Sequence, residues 1–188
     1  MRIFLTVLIL ILSFQSWTKA DDIRNLEIEG MSIGNSLLNF YSKNEIKEST
    51  KNYYPKSKKY YDLSIFSKKK NYDAMGFVIL DKDKNYIIQS LQGRIIFEDI
   101  NDCLKKKDLI VNDIKKTITI ISRTDHEINY PQYANSKAII SELDVDGGRV
   151  RVWCDDMSIE MKEQGIAPGL AVSISPHEFL VWLNLQAY

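Results

Sequence analysis

The chain has 188 residues, with 25 lysines and arginines against 25 aspartates and glutamates, so its formal charge is zero. It is 45% hydrophobic and 27% charged, an ordinary globular composition. These values give no reason to expect nucleic acid or an anionic membrane as partner, and suit one domain, two at most.

Residues 1–20 read "MRIFLTVLILILSFQSWTKA". Arg2 gives a positive start, 3–14 is apolar apart from Thr6 and Ser13, and Thr18 and Ala20 are small residues before a cut. These are the three parts of a secretory signal peptide, which predicts cleavage after Ala20 and a single domain over 21–188 in the periplasm or outside the cell. A retained membrane helix needs about 17–25 apolar residues, and Gln15 ends this run too soon. No stable membrane span is therefore expected after cleavage. Loss of Arg2 and Lys19 with no acid moves the net charge from 0 to −2.

In the mature chain, Ser32 is placed to cap a short helix carrying Leu37, Leu38 and Tyr41, and Ser42 with Glu45 has capping-box spacing. "YYDLSIF" and "DAMGFVIL" read as strands, joined through the turn "DKDKN" to "YIIQSLQGRIIF". That stretch is long for one strand, so Gly93 is expected at a bulge, bend or second turn. "INDCLKKKDLIVNDIKKTI" changes to helical period, with Cys103, Ile110, Val111, Ile114 and Ile118 on one side. "SRTDHEINYPQYANSK" reads as a polar connector. "AIISELDV" and "RVRVWC" flank "DGG", a hairpin signal. "IEMKEQGIAPG" reads as a loop with at most one helical turn, and "LAVSIS" as a strand. A last helix follows, with Ser175 as cap, Pro176 in first position and Glu178 closing a capping box. Short turns between strands favour antiparallel pairing. The expected fold class is α+β: a single, mostly antiparallel sheet with helices packed on one face.

The chain has two cysteines, Cys103 and Cys154. Strand alternation puts Cys154 with Val150 and Val152 on one face, and Arg149, Arg151 and Trp153 on the other. Cys103 lies on the apolar stripe of its helix. In an oxidising compartment a Cys103–Cys154 disulfide is the expected state, with Asp155 and Asp156 as solvated residues past the strand end. A metal site at "WCDD" lacks further ligands at useful spacing; the chain has only His126 and His177. No metal and no cofactor are expected. "DKDKN" and "DVDGG" lack the glycine and glutamate of a calcium loop and read as turns. "GMSIGNS" lacks the lysine and glycine spacing of a phosphate loop.

Nine lysines stand between Lys43 and Lys70, interleaved with Tyr53, Tyr54, Tyr60 and Tyr61. Aromatic residues among cations bind sugars, anionic polymers or single-stranded nucleic acid. Export removes nucleic acid and leaves an envelope protein or an anionic envelope polymer. Lys56, Lys58, Lys59, Tyr60 and Tyr61 are the candidate binding surface; the alternative is a solvated loop whose tyrosines pack on the core. No catalytic residues are assigned. Asp125 and His126 are adjacent, which does not orient one on the other, and no serine lies in a nucleophile elbow.

"IEGMSIGNSLLNFYS", "IIFEDINDCLKKKDLIVNDI" and "VRVWCDDMSIEM" with "LAVSISPHEFLVWL" together resemble an uncharacterised family of small exported bacterial proteins. In that family a helix cysteine and a strand cysteine recur, and the chain ends in a strand and a helix like "EFLVWL". The resemblance implies an envelope location and a shared fold, and no activity. More faintly, "GMSIGNSL" is similar to the first helix of BamE-like and β-lactamase-inhibitor-like modules, small α+β units that bind other proteins; Asn35 stands where an acid is more usual. The reading is a non-enzymatic envelope module that binds a partner. Its rivals are a small hydrolase using His126 with a nearby acid and a small-molecule carrier.

Overall fold

The computed structural model describes residues 22–67, 71–133, 135–166 and 168–188. The proposed signal peptide and the lysines at 68–70 lie outside the described residues. Eight strands form one antiparallel sheet in the order β1-β2-β3-β4-β8-β7-β6-β5. They are β1 Asn52–Tyr53, β2 Tyr60–Phe66, β3 Ala74–Leu80, β4 Ile88–Ile96, β5 Ile120–Asn129, β6 Lys137–Val145, β7 Gly148–Asp156 and β8 Gly169–Pro176. Strands β1–β4 form one meander and β5–β7 another. The last strand, β8, pairs with β4 on one side and β7 on the other, and so joins the two. The α-helices are α1 Lys43–Glu48, α2 Ile100–Thr117, α3 Ile159–Glu163 and α4 His177–Gln186.

Local sequence accounts for much of this. Ser42 and Glu45 make the reciprocal capping box that starts α1. The turn after β3 is held by Asp83, whose carboxylate accepts from the N–H groups of Asn85 and Ile87. The β6–β7 turn is Asp146–Gly147, with Gly147 at φ 78°. Gly148 cannot carry a side chain, because a Cβ there would sit 2.3 Å from the Ser175 carbonyl oxygen of β8.

Every second residue of the central strands points into one core. Leu63, Phe77, Leu91, Ile174, Val150 and Leu143 are successive register partners across six strands and all are buried. Helix α2 covers this face. Its Cys103 is bonded to Cys154 of β7, with the Cα atoms 6.0 Å apart. A disulfide of this kind fits an oxidising compartment.

Helix α4 covers the other face, so the two longest helices lie on opposite sides of the sheet rather than on one. Phe179 and Trp182 of α4 pack with Tyr60 and Val78 in a separate cluster. Val78 pairs with Ser90, whose hydroxyl meets that of Ser175, and Ser175 pairs with Arg149, one residue from the core-facing Val150. The sheet therefore buries apolar residues on both faces, which a single helical layer would not allow.

Four further local expectations are corrected. Residues 122–129 are most of edge strand β5, not a connector; β5 is exposed along nearly its whole length and carries no core periodicity. Gly93 is a regular position inside β4, and its missing side chain makes room for the Tyr72 ring, 2.5 Å from where a Cβ would sit. Ser36, not Ser32, caps the 3₁₀ turn Leu37–Asn39. No side chain caps α4, because β8 continues through Pro176 to pair with Gly148, and the Ser175 hydroxyl turns to Ser90.

Candidate functional site

The five residues of the lysine–tyrosine patch do not form one surface. Tyr60 and Tyr61 are neighbours in β2 and point to opposite faces. Tyr61 is 1% exposed in the main core, and Tyr60 is 3% exposed against Phe179 and Trp182. Lys56, Lys58 and Lys59 are exposed. The Nζ of Lys59 stands 4.9 Å from the Tyr60 ring centre and that of Lys51 4.3 Å from Tyr61, so these cations lie against rings of their own chain. The backbone N–H of Lys56 donates to the Ala187 carbonyl, which ties the C-terminal end of α4 to this loop.

Asp125 and His126 likewise face opposite sides of β5. The Asp125 carboxylate accepts from Ser141 at 2.6 Å and from Arg123 at 2.9 and 3.0 Å. His126 pairs in register with Ile140 on the α4 side, and its Nδ1 is buried without a hydrogen-bond partner. Sequence neighbours on a strand cannot cooperate unless the chain bends, and β5 runs straight in register here. Among the described residues no three His, Cys, Asp or Glu side chains come together as a metal-holding group. Among them, too, no helix is long and apolar enough to cross a membrane.

Neither Asp155 nor Asp156 lies past the strand end, because β7 runs through Asp156 and pairs it with Lys137. Asp155 is not solvated. It lies within β7, opposite Ala138, and is 3% exposed. Arg94 of β4 donates to one carboxylate oxygen at 2.9 Å and the Tyr130 hydroxyl to the other at 2.6 Å. Burial, followed by the Asp155 carboxylate, pushes the Tyr130 phenol well above its ordinary range.

A recess of about 590 Å³ lies on the α4 side of the sheet. Its floor follows from strand register. Ser64, Gly76, Gln92, Ser173 and Arg151 are successive partners across β2, β3, β4, β8 and β7. Each lies one residue along its strand from the apolar row beneath α2, so alternation turns a core row into a polar row. Four strand spacings make this floor about 19 Å long. One wall is α4, through Phe179, Leu180, Leu183 and Asn184; Trp153 lines the same recess on β7.

The charges beneath the groove are largely paired. Glu142 accepts from both Arg149 and Arg151, and Asp144 accepts from Arg149 at 2.8 Å. Asp62 lies where α4 meets β2. The Tyr54 hydroxyl donates to it at 2.7 Å, and burial raises its carboxyl above the usual range. The sequence carried a signal for this site in "RVRVWC", whose non-cysteine face is Arg, Arg and Trp. The role of α4 as a wall carried none.

Comparison with known proteins adds little. No family model matches the chain, and no solved structure matches it. Over 119 residues, 61% of the chain, it is 34% identical to the probable translation initiation factor IF-2 of Methanocaldococcus jannaschii. The chain spans 9% of the length of that protein, a share that carries no functional argument.

Proposed function

We propose that this protein is an exported, non-enzymatic binding module of the cell envelope, and that the groove between α4 and the sheet is where it holds its partner. The observation that carries the reading is the groove itself. A sheet face with a helix across it would ordinarily be filled with apolar side chains. Here the row beside α4 is Ser64, Gly76, Gln92, Ser173 and Arg151, small or polar and open. Concave sites with an apolar wall and a few placed polar groups are the usual form of a ligand pocket. Export is supported by the three-part pattern of residues 1–20 and by the Cys103–Cys154 bond. The resemblance to small exported bacterial proteins supports the same location. The hydrolase reading loses its nearest acid, because Asp125 faces away from His126.

The test is to isolate the full-length product from an envelope fraction and measure its intact mass, native and denatured, with and without reductant. The expected result is a chain starting at Asp21, two thiols released only by reduction, and a partner or ligand lost when the groove is altered. A cytoplasmic product that keeps residues 1–20 overturns the location. Retention of every partner by groove variants overturns the site.

A further inference from the structure

Resting on the groove as the binding site, the geometry points to its occupant: we infer an uncharged oligosaccharide chain, lying across the strands with sugar rings against Trp153. Three observations converge. The groove is long, about 19 Å across five strands, and it runs perpendicular to strands whose backbone groups are already paired. A peptide therefore cannot enter by adding a strand here, as it does at a sheet edge.

The groove also divides by polarity in the way a pyranose does. Sugar rings present an apolar C–H face and a rim of hydroxyls. Trp153, Leu180 and Leu183 offer flat or apolar surface. Ser64, Gln92, Ser173, Arg151 and Asn184 offer donors and acceptors, the amides and guanidinium each able to meet two hydroxyls.

Charge decides against an anionic polymer. The two guanidiniums on β7, Arg149 and Arg151, meet two carboxylates, those of Glu142 and Asp144, and a third carboxylate, Asp62, lies at the far end of the groove on β2. Glu142 and Asp144 are already bonded to the arginines, and Asp62 is bonded to Tyr54. No net positive field remains to attract polyanions. Lys56, Lys58 and Lys59 sit on the β1–β2 loop and do not line the groove.

The experiment measures binding of the mature chain to three probes: chitotetraose as uncharged glycan, polygalacturonate as anionic polymer, and a pool of unstructured peptides. Two variants alter the groove. Trp153→Ala removes the ring. Gly76→Gln fills the floor, at a position where an added Cβ meets only the Gln92 side chain and backbone at ordinary contact distance, 3.6 Å at the nearest. Circular dichroism and the intact disulfide check folding of both.

The expected result is chitotetraose binding that changes less than twofold between about 0.05 and about 0.5 M salt. Each variant should weaken it at least tenfold. If polygalacturonate or peptide binds instead, and the variants abolish that binding, the glycan inference falls and the groove stands as the binding site. If no probe binds, or both variants bind as the parent does, the glycan inference falls and so does the assignment of the site.

Discussion

The Nζ of Lys107 on α2 lies 2.8 Å from the Oγ of Ser141 on β6, and both residues are buried, at 6% and 0% exposure. Ser141 donates its own proton to Asp125, so a cation under the helix is linked through one hydroxyl to a carboxylate on the edge strand. The pair is asymmetric. Ser141→Ala leaves a buried ammonium without this hydrogen bond, with the exposed Asp108 carboxylate 3.9 Å away. That substitution is expected to cost about 2–3 kcal/mol. Lys107→Met keeps the shape and leaves Ser141 bonded to Asp125, so it should cost less than about 1 kcal/mol. The double variant should be no less stable than Ser141→Ala alone. Urea unfolding of the three proteins gives the cycle, and strictly additive losses would contradict the linkage.

The Cys103–Cys154 bond closes a loop of 51 residues that contains β5, β6 and most of α2 and β7. Chain-entropy reasoning gives about 4 kcal/mol for a loop of that size. Replacing both cysteines by alanine is therefore expected to lower the unfolding free energy by up to about that amount. Equilibrium denaturation of the oxidised, reduced and double-alanine forms measures it. The reduced and double-alanine forms should agree within about 1 kcal/mol.

How much of this was legible beforehand varies with the residue. The Cys154 face was legible because strand alternation is strict and Val150 and Val152 mark the core side. Strand β5 was not, because an edge strand exposed on both faces has no apolar period to read. The face taken by α4 was not legible either: Phe179, Leu180, Val181, Trp182, Leu183 and Leu185 surround the helix, so no single stripe stands out. The floor of the groove depends on which strands pair. Ser173 meets both Gln92 and Arg151 only because β8 lies between β4 and β7. Sequence distance hides such an arrangement.

Asp144 should titrate low. Hydrogen bonds from Ser122 and Arg149 hold its carboxyl below the usual range. A carboxyl depressed in the folded state adds stability that is fully present above its unfolded pKa of about 3.9 and is lost as pH falls through the folded value. Ser122→Ala removes the largest of these contributions. The Asp144 midpoint should then rise toward 3.9, and acid unfolding should begin at a higher pH than in the parent. Carboxyl-carbon NMR shifts followed against pH read the midpoint directly. An unchanged midpoint in the variant would rule out Ser122 as the cause.

Asp155 separates a structural carboxylate from a reactive one. Its two oxygens are taken by Arg94 at 2.9 Å and Tyr130 at 2.6 Å, and it sits beside the disulfide, joining β7, β4 and the loop after β5. Asp155→Asn keeps an oxygen to accept from Arg94 and turns an amide N–H to the Tyr130 oxygen, so it keeps both partners but loses the charge that strengthens them. Asp155→Ala loses both and leaves a small void. With Arg94 still 30% exposed and open to water, the alanine variant is expected to cost about 2–3 kcal/mol and the asparagine variant about half as much. Tyr130 supplies a second readout. Without the carboxylate its phenol should ionise at lower pH than in the parent, since burial alone would then hold it up. Ultraviolet titration of Asp155→Ala against the parent detects that fall. A stability loss with no change in the Tyr130 titration would mean that the Tyr130–Asp155 bond is not made in solution.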